Sequence, residues 1–311
     1  MSAIEEHVAI SVTRLLIMAA SIVGNTVVLL LVLRHRSLRK TGTNLLLAQL
    51  AFADLIIGIG TGIRGVSIIV FKRQGVSQYD KSLCLVLGIP TTFGIHISQT
   101  TMLAIAFDRF LSIKFPVLYR KLEKPSVAVL RFLVCTGYSI VGVGIAFTGF
   151  PFGGEKSPIC SVGASTQWWY TVYSIFFGNV LTITVYVLYI SIYVMFKSTS
   201  ENLSRQKTLF MTVTAVLVSY FFLWFLPNIF LVVSTVTEYH ELVGYGSLLV
   251  AMGSGINAST NIFIYGWKHA DLRAQLKKVP LVRRLFYCGV VRRETAISTL
   301  RTVSTVRPSK A

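Results

Sequence analysis

Residues 11–33 read SVTRLLIMAASIVGNTVVLLLVL and contain one charged side chain, Arg14. A helix needs about 20 mainly apolar residues to cross the hydrocarbon core of a bilayer. This stretch meets that requirement, and basic residues follow it directly at Arg34 and Arg36. We therefore predict a membrane-spanning helix from Ser11 to Leu33.

Six further stretches have the same character, and short polar or helix-breaking segments separate them. Of the 311 residues, 53% are hydrophobic and 14% are charged, whereas soluble domains carry about 25% charged residues. The sequence thus predicts an all-α integral membrane protein with a seven-transmembrane-helix bundle and a short amphipathic eighth helix. The six further spans are predicted at Asn44–Phe71, Leu83–Ile113, Val127–Phe150, Trp168–Phe196, Leu209–Val236 and Leu242–Trp267.

The distribution of positive charge predicts the orientation of these spans. Of the 30 Lys and Arg residues, 24 fall in the segments on the same side as the carboxyl terminus. Loops rich in Lys and Arg stay in the cytoplasm, so we expect the amino terminus outside and the carboxyl terminus inside. The predicted organisation is a short extracellular segment 1–10, a seven-span domain 11–267, an amphipathic cytoplasmic helix 268–279 and a basic, disordered tail 280–311.

The net charge of +18 has two usual interpretations. Basic chains often bind nucleic acid, but here the charge collects along one membrane face, where anionic lipids attract it. We therefore expect membrane lipids, and no nucleic acid, among the partners.

Polar groups within the predicted spans indicate function, because polar groups are costly in lipid and usually serve a purpose. The first two spans contain Asn25 and Asp54, and the third closes with Asp108-Arg109-Phe110. The sixth contains the run from Phe221 to Pro227, and the seventh ends with Asn261-Ile262-Phe263-Ile264-Tyr265.

In this order and at these depths, the motifs resemble those of the rhodopsin-like (class A) G-protein-coupled receptors, from about Ile10 to Lys278. The segments Ser37–Lys40, Asp108–Arg120 and Tyr265–His269 are similar to those of nematode serpentine chemoreceptors of the SX class. The resemblance implies a plasma-membrane receptor without enzymatic activity, which binds a small extracellular ligand and activates a heterotrimeric G protein. It also implies a chemosensory role, with the sensory cilium as an expected location and arrestin as an expected partner.

The resemblance implies an activation switch around Arg109. Asp108 is expected to hold Arg109 at rest, and the freed Arg109 to pack against the G protein on activation; the simpler alternative is interfacial snorkelling. In relatives, an acidic residue at the base of the sixth helix also stabilises the inactive state. Lys207 occupies that position here, so this contact is absent and we expect appreciable basal activity. The residues implied in coupling are Asp108, Arg109, Phe110, Tyr189, Phe221, Asn261 and Tyr265.

A buried polar cluster is also implied, with Asn25 behind it. Hard cations prefer oxygen ligands, and two of the amides are four residues apart on one helix face, so the cluster is a candidate for an allosteric Na⁺ site. The alternative is a purely structural hydrogen-bond network, and no other cofactor is expected. The predicted Na⁺ ligands are Asp54, Ser98, Asn257 and Asn261.

The cysteines divide into three kinds. The resemblance pairs Cys84 with Cys160 on the outer side, where disulfides persist. Cys135 lies within the fourth span and is expected to be packing. Cys288 follows the basic amphipathic stretch and is a candidate for palmitoylation, with a structural role as the alternative.

The ligand pocket is predicted by matching helix positions. Thr91 and Thr92 stand where amine receptors carry an acid, and the seventh span has no lysine before Lys268, so neither an amine ion pair nor a retinal Schiff base is expected. Arg64 lies ten residues from Asp54, about 15 Å outward, and predicts an anionic ligand unless it snorkels to the interface. The predicted wall comprises Arg64, Thr91, Thr92, Ile95, His96, Tyr170, Tyr173, Phe177, Phe225, Asn228 and Ala251.

Several positions depart from the family pattern. The fourth span lacks its usual Trp and the fifth its usual Pro, Phe225 is the aromatic residue before Pro227, and Ile262 replaces a proline. Because proline kinks helices, these losses put family-like bending of the fifth and seventh helices in doubt.

Two other function classes predict different sequence features. A transporter or channel should show an inverted repeat or a file of buried charges, and a membrane enzyme should show paired His or Asp on facing spans. The five histidines are scattered, and the spans carry few charges. A transporter or channel remains the alternative to the receptor.

Overall fold

A computed structural model describes residues 7–150, 153–198, 214–215, 217–237, 240–268 and 270–276. Several predictions fall outside these residues: the first six residues of the extracellular segment, Lys207, the end of the amphipathic helix, and the tail with Cys288.

Seven long helices form the bundle within the described part of the chain, and a short helix follows them. The sixth, α6, contains a π-helical turn at Phe221–Phe225. The helices are α1 Val8–Arg34, α2 Gly42–Arg73, α3 Lys81–Lys114, α4 Pro125–Ile145, α5 Trp168–Ser198, α6 Leu217–Val236, α7 His240–Lys268 and α8 Ala270–Leu276.

Short elements connect the long helices. The helices Arg36–Arg39 and Pro116–Leu122 follow α1 and α3, and Val162–Ser165 precedes α5. Two short strands, β1 (Tyr79–Asp80) and β2 (Lys156–Ser157), pair antiparallel with Tyr79 opposite Ser157. They join the connector before α3 to the connector after α4.

The surface of the bundle is apolar and its interior is partly polar. Helices α1 to α6 are long and apolar enough to cross a membrane. Leu16, Leu130 and Ile190 are each at least 60% exposed, whereas Asn25 and Asp54 are fully buried. This arrangement suits a chain whose outer surface meets lipid and whose polar groups must find partners inside.

The helix order explains how the polar groups converge. α2 lies between α1 and α3, and α7 packs against α1, α2 and α6. A close approach of α2 to α3 is possible because Gly60 has no side chain: a Cβ there would lie 2.6 Å from the backbone nitrogen of Thr91. Residues of α2, α3, α6 and α7 therefore share one interior.

The predicted spans are confirmed to within a few residues where the structure describes them, with one exception. α4 ends at Ile145 rather than Phe150 and passes into a turn that includes Gly149, whose φ of 70° favours glycine. α5 and α7 run without interruption, while α3 contains Pro90. The predicted amphipathic helix is present as α8.

Candidate functional site

A cavity of about 100 Å³ lies between α2, α3, α5, α6, α7 and the short helix Val162–Ser165. Eight of the eleven residues predicted for the ligand pocket contribute to its wall. These are Arg64, Thr91, Thr92, Ile95, His96, Tyr170, Asn228 and Ala251.

The other three predicted wall residues, Tyr173, Phe177 and Phe225, lie outside the cavity wall, which corrects the prediction. Tyr173 and Phe177 form an aromatic cluster with Tyr138 of α4, since the rings of Phe177 and Tyr138 lie 6.1 Å apart. Phe225 packs instead against Tyr186 of α5, at 5.9 Å.

Trp224 takes the place predicted for Phe225. It lines the cavity, is 6% exposed, and its ring is stacked on Tyr220 at 5.9 Å. A π-helical turn accommodates more residues per turn than an α-helix, so side chains within the turn Phe221–Phe225 point in directions that α-helical spacing does not predict. The neighbouring tryptophan therefore faces inward.

Arg64 is 3% exposed and is the charged residue of the cavity wall as the structure describes it. Its guanidinium donates to the carbonyl oxygen of Cys84 at 3.4 Å, which places it beside the first turn of α3. The described wall contains no carboxylate. Arg64 therefore brings a positively charged group to this end of the cavity wall.

The wall contains residues that the sequence did not predict, among them Gln99 and the short helix Val162–Ser165. Gln99 extends the stripe formed by Thr92, Ile95 and His96, and helical spacing predicts its position. The short helix Val162–Ser165 closes one side, where the backbone N–H of Gly163 donates to Ser247 Oγ at 3.0 Å. A helix of four residues leaves no periodic signal in the sequence.

The predicted disulfide between Cys84 and Cys160 is confirmed, with their Cα atoms 5.3 Å apart. It fastens the start of α3 to the connector that continues into Val162–Ser165. The disulfide therefore helps to hold this helix against the cavity. Cys135 is buried and free, in agreement with the predicted packing role.

Asp54 lies at the centre of a buried polar cluster. Asn261 Nδ2 donates to Asp54 Oδ2 at 2.6 Å, and Ser21 Oγ donates to the Asp54 backbone carbonyl at 2.7 Å. Asn25 Nδ2 donates to Ser21 Oγ at 3.0 Å and to the Ala258 carbonyl at 3.1 Å. The cluster connects α1, α2 and α7.

The predicted sodium ligands are brought together only in part. Asn257 Oδ1 accepts a hydrogen bond from Ser219 Oγ of α6 at 3.0 Å, and Ser98 is buried in α3; no hydrogen bond among the described residues joins either to Asp54. Three buried oxygens, Oδ1 of Asp54, Asn25 and Asn261, have no hydrogen-bond partner among the described residues. Such oxygens fit the donor chemistry that a hard cation requires.

The predicted switch is centred on the carboxylate of Asp108, which is 5% exposed. Oδ2 pairs with Arg109 at 2.5 Å and accepts a hydrogen bond from the Tyr119 hydroxyl at 3.4 Å. Oδ1 pairs with Arg131 of α4 at 2.9 Å. Arg109 also donates to the hydroxyl of Thr43 on α2, so the cluster links α2, α3, α4 and the helix Pro116–Leu122.

Tyr119 contributes to this cluster as a neutral donor. Burial raises the pKa of Tyr119, and the neighbouring Asp108 carboxylate raises it further, although Arg109 acts in the opposite direction. The phenol therefore keeps its proton at neutral pH and remains able to donate to Asp108.

Three other predicted coupling residues, Tyr189, Phe110 and Phe221, pack among apolar and aromatic side chains. Tyr189 is buried in the hydrophobic core with its hydroxyl unpartnered among the described residues, and Phe110 packs against the same core. Phe221 contacts Tyr186 edge-on at 6.2 Å. The side chain of Tyr265 lies outside the described part of the structure.

Comparisons with known proteins give consistent results. The family described as "Serpentine type 7TM GPCR chemoreceptor Srsx" matches residues 18–279. Somatostatin receptor type 5 of Bos taurus is 26% identical over 300 residues, which cover 91% of this chain and 78% of that receptor. Galanin receptor 2b of Danio rerio is 29% identical over 137 residues, covering 44% of this chain and 35% of that protein. Tachykinin-like peptides receptor 86C of Drosophila melanogaster is 30% identical over 119 residues, which cover 38% of this chain and 23% of that receptor.

Proposed function

The chain belongs to the Srsx family of serpentine seven-transmembrane G-protein-coupled chemoreceptors, and we propose that it is a chemosensory receptor for a small anionic ligand. Its partners as a G-protein-coupled receptor are a ligand and a G protein. The family match supports the receptor, and nothing in the comparisons favours a transporter or channel.

The observation that carries the proposed ligand class is the position of Arg64 in the cavity wall. Arg64 is 3% exposed, and it contributes its guanidinium group to this wall. Carboxylates and phosphates bind guanidinium groups through paired, charge-assisted hydrogen bonds. Because Arg64 brings a positive charge to the cavity wall, we propose a ligand anion as its complement at this end of the cavity.

The size of the cavity favours a small molecule. A cavity of about 150 Å³ accommodates benzene, and the cavity here is about 100 Å³. One relative is named as a receptor for tachykinin-like peptides, so a peptide is the second candidate. A cavity of this volume admits at most the end of a peptide. A small organic molecule would fit inside it as a whole.

We place the signalling surface at the end of the bundle that carries Asp108 and Arg109, and propose that this end is cytoplasmic and the amino terminus extracellular. Activation would release Arg109 from Asp108 and present it, with Tyr189 and Tyr265, to a heterotrimeric G protein and later to arrestin. The basic residues on this face would also attract anionic lipids. Plasma membrane, including that of a sensory cilium, is the proposed location.

We further propose that Na⁺ binds beside Asp54 and stabilises the resting state. Asp54, Asn25 and Asn261 would supply the ligand oxygens that lack hydrogen-bond partners among the described residues. Neutralising the buried carboxylate is the chemistry the ion would contribute.

The test uses the full-length receptor in lipid nanodiscs with a panel of purified G proteins, screened with small carboxylates and phosphates. Nucleotide exchange should rise with at least one acid, and Arg64→Gln should weaken that response by at least about tenfold. Arg73→Gln, an exposed cation at the end of the same helix, should respond like the wild type. An Arg64→Gln response equal to wild type would refute the anionic ligand, and ion flux without exchange would refute the receptor.

A further inference from the structure

Asn228 is the carboxamide that α6 contributes to the cavity wall. It is 6% exposed and follows Pro227 directly. Its Nδ2 atom donates to the backbone carbonyl of Trp224, one helical turn earlier, at 2.9 Å. A carboxamide has a donating nitrogen and an accepting oxygen, and this bond commits the nitrogen to the helix. The side chain therefore presents the cavity with an acceptor.

The oxygen of this carboxamide has no donor within the described part of the chain. The Oδ1 atoms of Asn25 and Asn261 also lack a donor, but the protein encloses them, whereas Oδ1 of Asn228 keeps accessible surface. Because the rest of this side chain is buried and lines the cavity, that surface opens on the cavity. Buried carbonyl oxygens are nearly always hydrogen-bonded, so the donor for this oxygen comes from an occupant of the cavity.

The surroundings of Asn228 are apolar. Trp224 and Leu231 lie four residues before it and three residues after it, on one face of α6, and both line the cavity. Ile175 of α5 and Val250 of α7 also line it, and all four side chains belong to one buried hydrophobic cluster. An acceptor left without a donor is most costly in such low-dielectric surroundings. An occupant that cannot donate to Asn228 therefore binds at a penalty.

Hydroxyl groups of the wall also favour an occupant that donates. Thr92 donates to the carbonyl of Gly88 at 3.2 Å, and Thr166 donates to the carbonyl of Val162 at 3.0 Å. A hydroxyl has a single proton, so any further hydrogen bond that these two groups make is one that they accept.

Three kinds of ligand group are able to donate to Asn228: an ammonium, an amide N–H and a hydroxyl. Burying an ammonium beside Trp224 and Leu231 costs far more than burying a neutral group, because an unpaired charge is poorly solvated in apolar surroundings. A hydroxyl or an amide N–H makes the same hydrogen bond without that cost.

We infer that the ligand carries a neutral hydrogen-bond donor, a hydroxyl or an amide N–H, which binds Oδ1 of Asn228. The inference rests on the proposed function, in which this cavity is the ligand site, and adds the chemistry of a second polar group of the ligand. Asn228 is then a specificity-determining residue, which distinguishes an acid with a neutral donor from an acid of similar size without one.

The probes are four small acids: lactate, 3-hydroxypropionate, malonamate and methoxyacetate. The first two are isomers of methoxyacetate and donate through a hydroxyl, malonamate donates through an amide N–H, and the ether oxygen of methoxyacetate only accepts. Calorimetry measures their binding to the full-length receptor in nanodiscs. We expect the best of the three donors to bind at least about tenfold more tightly than methoxyacetate, because the ether leaves Oδ1 without a partner.

The decisive variant is Asn228→Leu, which has a similar shape but no polar atoms. It should lose the preference for the donors while its affinity for methoxyacetate is retained. Asn228→Thr should keep part of the preference, because a threonine hydroxyl in α6 donates to its own helix, as Thr235 does to the Leu231 carbonyl at 2.7 Å, and still accepts.

Asn179→Leu is the matched control. Asn179 makes the same kind of bond within α5, from Nδ2 to the Ile175 carbonyl at 2.8 Å, but does not line the cavity. Asn179→Leu should therefore keep the full preference, which separates the loss of an acceptor in the cavity from the loss of a side-chain bond to a helix.

The outcomes separate this inference from the proposed function. Equal affinity of methoxyacetate and the best donor for the wild type, or a preference that persists in Asn228→Leu, overturns the assignment of a ligand donor to Asn228. If the acids bind without such a preference, the anionic ligand of the proposed function stands. If none of the four acids binds, the donor assignment is overturned, and the screen of carboxylates and phosphates decides the proposed function separately.

Discussion

Asp108 binds Arg131 of α4 through Oδ1 at 2.9 Å, while its Oδ2 pairs with the adjacent Arg109 at 2.5 Å. One carboxylate thus holds two arginines from two helices. Because the two cations share a single negative charge and repel each other, each is held less firmly than it would be alone. Arg131 is therefore a competitor of Arg109 for the group that keeps Arg109 at rest.

Replacing Arg131 with Gln should lower basal G-protein activation by about two- to fivefold, because Asp108 would then hold Arg109 more firmly. Asp108→Asn should have the opposite effect, since it releases both arginines. Basal nucleotide exchange in nanodiscs without agonist measures both. Arg120→Gln, an exposed cation of the neighbouring helix, is the charge-matched control. Basal exchange that rises in Arg131→Gln would show that Arg131 supports the resting state instead.

Trp224 should be energetically more important than the residue that follows it. Trp224→Ala is expected to lower the free energy of unfolding by about 3–5 kcal/mol, as for large buried aromatics, because Trp224 is 6% exposed and stacked on Tyr220. Phe225→Ala, which truncates a partly buried ring, should cost clearly less. Denaturant unfolding in mixed micelles measures the difference.

The control for the aromatic pair is Phe222→Ala. Its side chain is 60% exposed, and lipid or detergent replaces the lost contacts, so its effect should be close to zero. A larger loss from Phe225→Ala than from Trp224→Ala would mean that α6 does not present Trp224 to the interior.

The sequence predicted the parts of this molecule that depend on local or motif-level information. The lengths of the apolar stretches predicted the membrane-spanning helices. The family resemblance predicted the Cys84–Cys160 disulfide and the proximity of Asp54 to Asn261. The inward position of Trp224 was not predictable, because it lies in the π-helical turn Phe221–Phe225, which the spacing of apolar residues does not indicate. The pairing of Arg131 with Asp108 is not predictable from the sequence, since the two residues are 23 positions apart and meet only in the folded bundle.

Sodium should stabilise the wild-type receptor through Asp54. Replacing choline chloride with about 0.15 M NaCl should raise the midpoint of thermal unfolding by a few degrees and reduce basal exchange, because only the folded state offers the site. Asp54→Asn should remove this Na⁺ dependence. Asp80→Asn is the control, because Asp80 caps α3 by accepting from the Leu83 N–H and asparagine caps equally well. An undiminished sodium response in Asp54→Asn would leave the cluster with a structural role alone.

The approach of α6 to α7 depends on Gly253. Pro227 has no N–H to donate to the carbonyl of Leu223, four residues earlier, and this carbonyl belongs to the π-helical turn. A Cβ at Gly253 would lie 3.0 Å from the Leu223 carbonyl carbon and 3.5 Å from Pro227 Cγ. The π-helical turn of α6 therefore packs directly against Gly253 of α7, and a side chain at this position would push α6 and α7 apart.

Gly253→Ala should destabilise the receptor by about 1–3 kcal/mol, because overpacking against backbone outweighs the gain in helix propensity of about 1 kcal/mol. Gly137→Ala in α4 is the matched control: its Cβ would meet nothing within 4 Å, so propensity alone should make it neutral or slightly stabilising. Unfolding midpoints in nanodiscs compare the two variants. Since the displaced segment carries Trp224, Gly253→Ala should also weaken ligand-stimulated exchange, whereas stability and response equal to Gly137→Ala would contradict the close α6–α7 contact.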